Sequence, residues 1–519
     1  MKRTTLLFLL AAFLFAGSLS LFAQFASDPN DHMYVDLKLW EDRGILQNLP
    51  PLKPYPIQLL KKLLTEVREK GNEQDRTLAD QYYAEMDGLL DFHAIGDATV
   101  RTDFSSVYAQ FTLEGTFQGS IDPRLTYSGM LGAIVNNGLG NLFLPEYGRS
   151  MVDFVLDSTP PLGTSKFIPR VSQASSAAFG SDSLYLQAGD IRGSFGPFWG
   201  DNAILSPSSP QSGQFSFVLR RDYFTVTEMV MSMSAVTSNG TGGPWPNKFL
   251  SFHSLEVYPL PWLTLSIFES ILFGPNFDPL YALPFAVYFY AQGFGGYRDN
   301  SFIGITGGIK FPASVRADFI LYVDDAGPFN KLITLDLANA MLEFSFQAGV
   351  SWTPNLPYLT RLSLNAIMVT PYTYTHTNGY GDLPSDPNYL DYTIAGQNIG
   401  PSLQPDSLRV EINALIRPES FFDMSPFARV ILHGNAGAYY GGTGTIFDNG
   451  YTESAYSTFH FLDQLVIEKT FQAGFDSTVY IGKIQMSAIY TLEYMSNAGL
   501  IAGATAVNNY LSLEVRYTY

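Results

Sequence analysis

The chain has 519 residues, no cysteine, 45 glycines, 15% aromatic residues and a formal net charge of −18. Without thiols there are no disulfides, Fe–S clusters or cysteine zinc sites, and the acidic balance excludes a nucleic-acid backbone as partner. Charged residues are only 15%, below the roughly 25% of ordinary soluble domains, yet a mean hydropathy of +0.05 is too polar for a bundle of membrane helices.

The first residues read as a signal peptide over 1–23. Lys2 and Arg3 form a positive start, Leu6 to Phe15 a short apolar run, and cleavage is expected after Ala23 or Ala26. No later apolar run reaches the ~18 residues of a spanning helix. An exported chain of this kind is soluble or crosses a membrane as a closed barrel.

Residues 24–92 read as a periplasmic helical segment. Tyr34 to Gly44 predicts a short helix with Gly44 past its end. Pro56 to Lys70 predicts a second, with Leu59, Leu60, Leu63, Leu64 and Val67 on one stripe. Glu73 to Leu90 predicts a third. Near residue 95 the apolar period changes from 3.6 to 2, and 93–519 reads as the barrel.

The alternation beyond that point is clean in several places. Between Tyr108 and Ile121, Ala109, Phe111, Leu113, Phe117 and Ile121 oppose Gln110, Thr112, Glu114, Gln118 and Ser120. Arg316 to Asp324, Leu342 to Trp352 and Leu408 to Arg417 repeat the pattern with charges on the polar parity. Charges on that parity would be costly in a dry sandwich core and are hydrated in a wet lumen. Thr159 to Ser183, Ser194 to Gln214, Ser238 to Lys248 and Tyr372 to Ser402 read as long loops that face the exterior or fold inward as a constriction. The last strand, Tyr510 to Tyr519, sets Leu511, Leu513, Val515, Tyr517 and Tyr519 against Ser512, Glu514, Arg516 and Thr518. Its aromatic end, Tyr517 and Tyr519, reads as the signal that the outer-membrane assembly machinery recognises. The fold class is therefore all-β: a transmembrane antiparallel β-barrel in which ~425 residues at ~24–27 per strand give ~16–18 strands.

Two stretches resemble the Wzi capsule-assembly family of outer-membrane proteins. One is Gly189 to Ser206, with its Gly-Pro before an Ile-Leu-Ser. The other runs through Asn247 to Val257, Trp262 to Glu269, Pro279 to Pro284, Arg298 to Asn300 and Leu321 to Asp325. Lys53-Pro54-Tyr55 looks like that family's opening. The resemblance covers roughly 33–70 and 185–326. It implies 18 strands, a helical bundle at the periplasmic end and a role in holding surface polysaccharide. Arg192 and Ser194 depart from the family pattern, so sugar specificity does not carry over.

Several side chains could do chemistry. Trp199, Asp201, Arg298, Asp299, Tyr372, Tyr374, Tyr380 and Asp382 pair rings with carboxylates or a guanidinium, which suits sugar faces and hydroxyls; loop self-packing is the alternative for the tyrosines, and a plain turn for Arg298 and Asp299. Arg316, Asp318 and Asp324 face the lumen by parity, as a ring or as cross-strand pairs. Glu269 shares the parity of Leu263, Leu265 and Ile267, so a bulge is expected to turn it inward. The six histidines lack metal-ligand spacing, and no cofactor is indicated. The leading reading is a non-catalytic, monomeric outer-membrane barrel whose partners are membrane lipid, surface polysaccharide and the assembly machinery. The alternative is a porin-like diffusion channel for small, cation-leaning solutes.

Overall fold

The computed structural model describes residues 26 and 28–519, apart from 139–142, 146–167, 238–245, 295, 328–330, 332–333, 337–338, 355, 377–385, 420, 436–443 and 448–457. The expected signal peptide therefore lies outside the described residues.

Eighteen antiparallel strands close into one barrel. The first third comprises β1 Asp91–Thr102, β2 Val107–Asp122, β3 Leu125–Asn136, β4 Ile168–Gly180, β5 Leu184–Ile191 and β6 Ser212–Arg220. Then come β7 Phe224–Ser234, β8 Asn247–Leu260, β9 Leu263–Phe273, β10 Asn300–Phe311, β11 Val315–Gly327 and β12 Met341–Trp352. The last are β13 Leu359–Val369, β14 Ser407–Glu419, β15 Phe422–His433, β16 Glu468–Ile481, β17 Ile484–Ser496 and β18 Thr505–Thr518. β18 pairs with β1 from Thr518↔Ile95 to Leu511↔Thr102, so no edge is left open. β4 runs through the stretch read as a loop over 159–183; its Ser and Ala residues obscure the alternation.

The parities read from sequence decide which face is which. Phe111, Leu113 and Ile121 on β2, and Leu513 and Val515 on β18, are exposed on the outer wall, whereas Thr112, Gln118 and Ser512 are buried inside. One end of the barrel carries short turns. The other carries the long connections, and these two ends orient the rest of the molecule.

Three helices fill the short-turn end: α1 His32–Asp42, α2 Ile57–Lys70 and α3 Glu73–Ala84. Asp31 caps α1 by accepting from the Met33 N–H, and Asn72 with Asp75 forms a capping box on α3. Leu59, Leu60, Leu63, Leu64 and Val67 of α2 are fully buried, each contributing about 1.5–3 kcal/mol relative to exposure. α3 stops six residues short of Leu90, because the chain turns at Glu85 and Gly88 takes φ +140°.

Candidate functional site

The lumen is where the candidate site residues converge, and it is filled from both ends. At the short-turn end α1 meets the wall through charge. The Arg417 guanidinium on β14 donates to Asp36 at 2.7 Å and to Asp423 at 2.6 Å, and His32 lies 2.6 Å from Asp423. Burial opposes the His32 charge, but Asp36 and Asp423 outweigh it and raise the imidazole to about 9. For Asp36 the Arg417 and His32 charges likewise overcome burial and hold the carboxyl well below the usual range. Arg316 on β11 pairs with Glu41 of α1 at 3.0 Å and with Asp318 at 2.9 Å. Arg316 and Asp318 pair along one strand and Arg316 reaches across to the helix, in place of the expected ring or cross-strand pairs.

At the long-loop end two connections fold inward. Residues 192–211, between β5 and β6, turn at Gly196, where φ is +138° and a Cβ would run into the Asn202 amide. Residues 370–376 and 386–406, between β13 and β14, wrap around them. Ser206 N–H donates to the Ile399 carbonyl at 2.9 Å, and the Tyr374 and Tyr392 hydroxyls donate to the carbonyls of Ala203 and Ile204. Tyr374 and Tyr392 stack at 5.1 Å, with Phe302 and Tyr322 of the wall beside them. The plug meets the N-terminal segment inside the barrel: Leu52↔Phe195 and Lys53↔Ser194 form a two-residue ladder. At this junction a cavity of about 40 Å³ is lined by Lys38, Glu41, Lys53, Glu256, Arg316 and Asp318, among others. Burial pushes the Lys53 ammonium down to about 8.

Asp201 is the hub of the plug. Its carboxylate accepts from Arg409 of β14 at 2.8 Å, from Ser402 at 2.7 Å and from Ser206 at 2.7 Å. Burial raises its cost, but the Arg409 charge prevails and holds it well below the ordinary carboxylate range. Lys248 of β8 makes the matching pair with Asp391, both fully buried. Trp199 lies under the Arg361 guanidinium, 4.0 Å from ring centre to charge. Asp324 on β11 accepts from the Tyr374 N–H at 2.7 Å. Tyr372 and Tyr374 are 2% and 0% exposed, both at positive φ. Tyr380 and Asp382 lie outside the described residues.

Five of the selected residues sit elsewhere. Arg298 is exposed and Asp299 accepts from Tyr281, both in the β9–β10 connection outside the wall. Glu269 also points outward. The β8–β9 register runs unbroken from Phe249↔Phe273 to Val257↔Leu265, so no bulge rotates Glu269 into the lumen. It stays on the face of Leu265 and Ile267, and its cost there is met by the His253 ring at 3.4 Å. Tyr517 and Tyr519 belong to the closing seam, where Tyr519 exchanges backbone hydrogen bonds with Ala94.

Sequence reasoning missed the polar relay on the opposite wall. Arg429 donates to Glu411 at 2.6 Å and to Gln472 at 3.2 Å; Gln472 and Asn508 each donate to Glu493 at 2.8 Å. These residues lie on five successive strands, and only pairing register brings them into line.

No protein-family model and no curated protein matches this sequence. Among solved structures, Wzi of Escherichia coli aligns over 95% of this chain and 99% of its own at a TM-score of 0.60 and 13% identity. The fold is that of Wzi. That protein is described as an outer-membrane protein involved in group 1 capsule assembly and as a carbohydrate-binding β-barrel. OccD3 of Pseudomonas aeruginosa aligns over 84% of this chain and 92% of its own, with 11% identity and a TM-score of 0.46. The outer-membrane protein OprD of the same species aligns over 84% and 95%, with 9% identity and a TM-score of 0.45.

Proposed function

We propose that this chain is an outer-membrane barrel of a diderm bacterium that holds surface polysaccharide, or helps to assemble it, without catalysing a reaction. The observation that carries the reading is the protein packed inside the barrel: helices at one end, the Asp201-pinned plug at the other, and the Leu52–Phe195 ladder joining them. A diffusion channel needs a continuous wet path, and packing of this kind works against one. The fold shared with a carbohydrate-binding barrel gives the second support.

In this reading Trp199, Asp201, Tyr372 and Tyr374 shape the mouth by holding the plug, and the glycan meets rings at the long-loop end. Phe459 and Phe461 stack at 6.3 Å just before β16, beside His460, which lies 2.6 Å from Asp463. Paired rings next to a carboxylate offer stacking and hydroxyl contacts together. The test is a glycan array on refolded protein, run beside planar-bilayer conductance. Retention of an acidic or neutral polysaccharide, lost on Phe459→Ala with Phe461→Ala, and a closed bilayer trace are expected. A large steady conductance without glycan retention would overturn the reading in favour of a channel.

A further inference from the structure

The β9–β10 connection, residues 274–299, does not project from the barrel mouth. It folds down over the outside of the wall. It contains a short 3-10 turn, Pro279–Ala282, and α4 Tyr288–Phe294. Phe273, Tyr281, Tyr288 and Ala291 are buried together against Ile271 on the outer face of β9. Polar contacts pin the flap: the Tyr288 N–H donates to Glu269 at 3.0 Å, the Tyr288 hydroxyl to Glu228 at 3.0 Å, and Gln292 to Ser301 at 2.9 Å.

Beneath the flap the wall is unlike the rest of the outer surface. Glu228, His253 and Glu269 stand in one row across β7, β8 and β9, paired by register. His253 lies 3.7 Å from Glu228 and 3.4 Å from Glu269, and its ring packs 4.3 Å from that of Tyr288. Bare, this row would put three ionisable groups against hydrocarbon. The flap buries Glu228 to 2% exposure. It then presents its own surface outward: Phe285, Phe289, Tyr290, Phe294 and Tyr297 are 58–89% exposed. So many exposed rings on 26 residues mark an interaction surface. They continue the apolar wall of Leu265, Ile267, Ile303 and Ile305, which is exposed directly below on β9 and β10.

We propose that the flap is the lipid-contacting surface of this quarter of the barrel, inserted among membrane acyl chains in place of the strands it covers. The occupant follows from continuity: the surface that the flap extends is the barrel's lipid face, and the row that it hides is one lipid would not accept. The inference rests on the barrel spanning a membrane and not on any glycan role.

The chain has no cysteine, so single substitutions can be nitroxide-labelled without other changes. Phe289→Cys on the flap, Ile267→Cys on the wall and Ser105→Cys in the β1–β2 turn would be reconstituted in phosphatidylcholine–phosphatidylglycerol vesicles. Collision broadening by oxygen, which partitions into lipid, is compared with that by a water-soluble nickel chelate. Phe289→Cys should match Ile267→Cys, with oxygen accessibility severalfold above nickel, while Ser105→Cys shows the reverse. Nickel dominance at Phe289→Cys with oxygen dominance at Ile267→Cys overturns the flap proposal alone. Nickel dominance at both overturns the membrane reading as well. An immobilised label shielded from both probes, or dipolar broadening between copies, would assign the rings to a protein contact and also overturn it.

Discussion

Strands β7 to β11 and strands β14 to β18 differ on their inner faces. On the first arc Met229, Met231, Leu250, Phe252, Phe268 and Phe302 point inward and pack on the plug. On the second arc Glu411, Arg429, Gln472, Glu493 and Asn508 point inward and bond to one another. Outside, each arc carries exposed aliphatic and aromatic residues. The contrast teaches that lumen polarity is local. The wall under the plug is mainly apolar and pinned by a few buried polar contacts such as Lys248–Asp391 and Arg409–Asp201, whereas the other arc stays polar because its own side chains satisfy each other across strands.

Substitutions on the two arcs should therefore differ in size. Phe252→Ala removes a ring 4.4 Å from Phe195 of the plug and should cost about 3–5 kcal/mol. Gln472→Ala removes the hydrogen bonds to Arg429 and Glu493 from the polar arc and should cost about 1.5–3 kcal/mol. Urea titration of the folded, fast-migrating form on unheated gels measures both, and equal costs would erase the distinction between the arcs. Next in size is Asp201→Asn, which strands the buried Arg409 charge and should cost about 3 kcal/mol. Its signature is a loosened plug, seen as flickering conductance in planar bilayers; a trace identical to the parent would show that the plug is held by its apolar contacts alone.

The smallest effect concerns the charged seam below both arcs. His32 rises from 6.5 to about 9 on folding. A raised value means that the docked helix binds the proton more tightly than the free one. The stabilisation is therefore complete below pH 6.5 and is lost as pH climbs through about 9. Proteolysis at Arg43 should accelerate over that window, and His32→Gln should flatten the profile. A parent profile already flat would remove His32 from the seam.

The two arcs also explain what could be read in advance. β2, β14 and β18 alternate cleanly because only their outer faces are apolar, and their parities match the structure. In β7 and β9 both faces are apolar over long stretches, as in Met229, Val230 and Met231 or Ile267 and Phe268. There a period of two carries less information; the expected cost of a carboxylate on the outer face, not the pattern, suggests a bulge that is absent, and the pattern does give the right face for Glu269. Its true setting depends on Tyr288 and His253, which reach it only through a folded-back connection and a neighbouring strand. Lumen placement of Arg316, Asp318 and Asp324 was legible from parity. Their partners Glu41 and Tyr374 were not, because no local pattern links a helix near residue 40 or a loop near 374 to β11.

The pairing of Asp36 with Arg417 spans 381 positions of sequence, and His32 reaches Asp423 beyond it. A helix from one end of the sequence thus finds its berth on strands from the other. The same helix reaches β11 through Glu41 and Arg316, so its full docking needs strands from distant parts of the barrel to stand in place together, and a half-barrel would hold it by one side only.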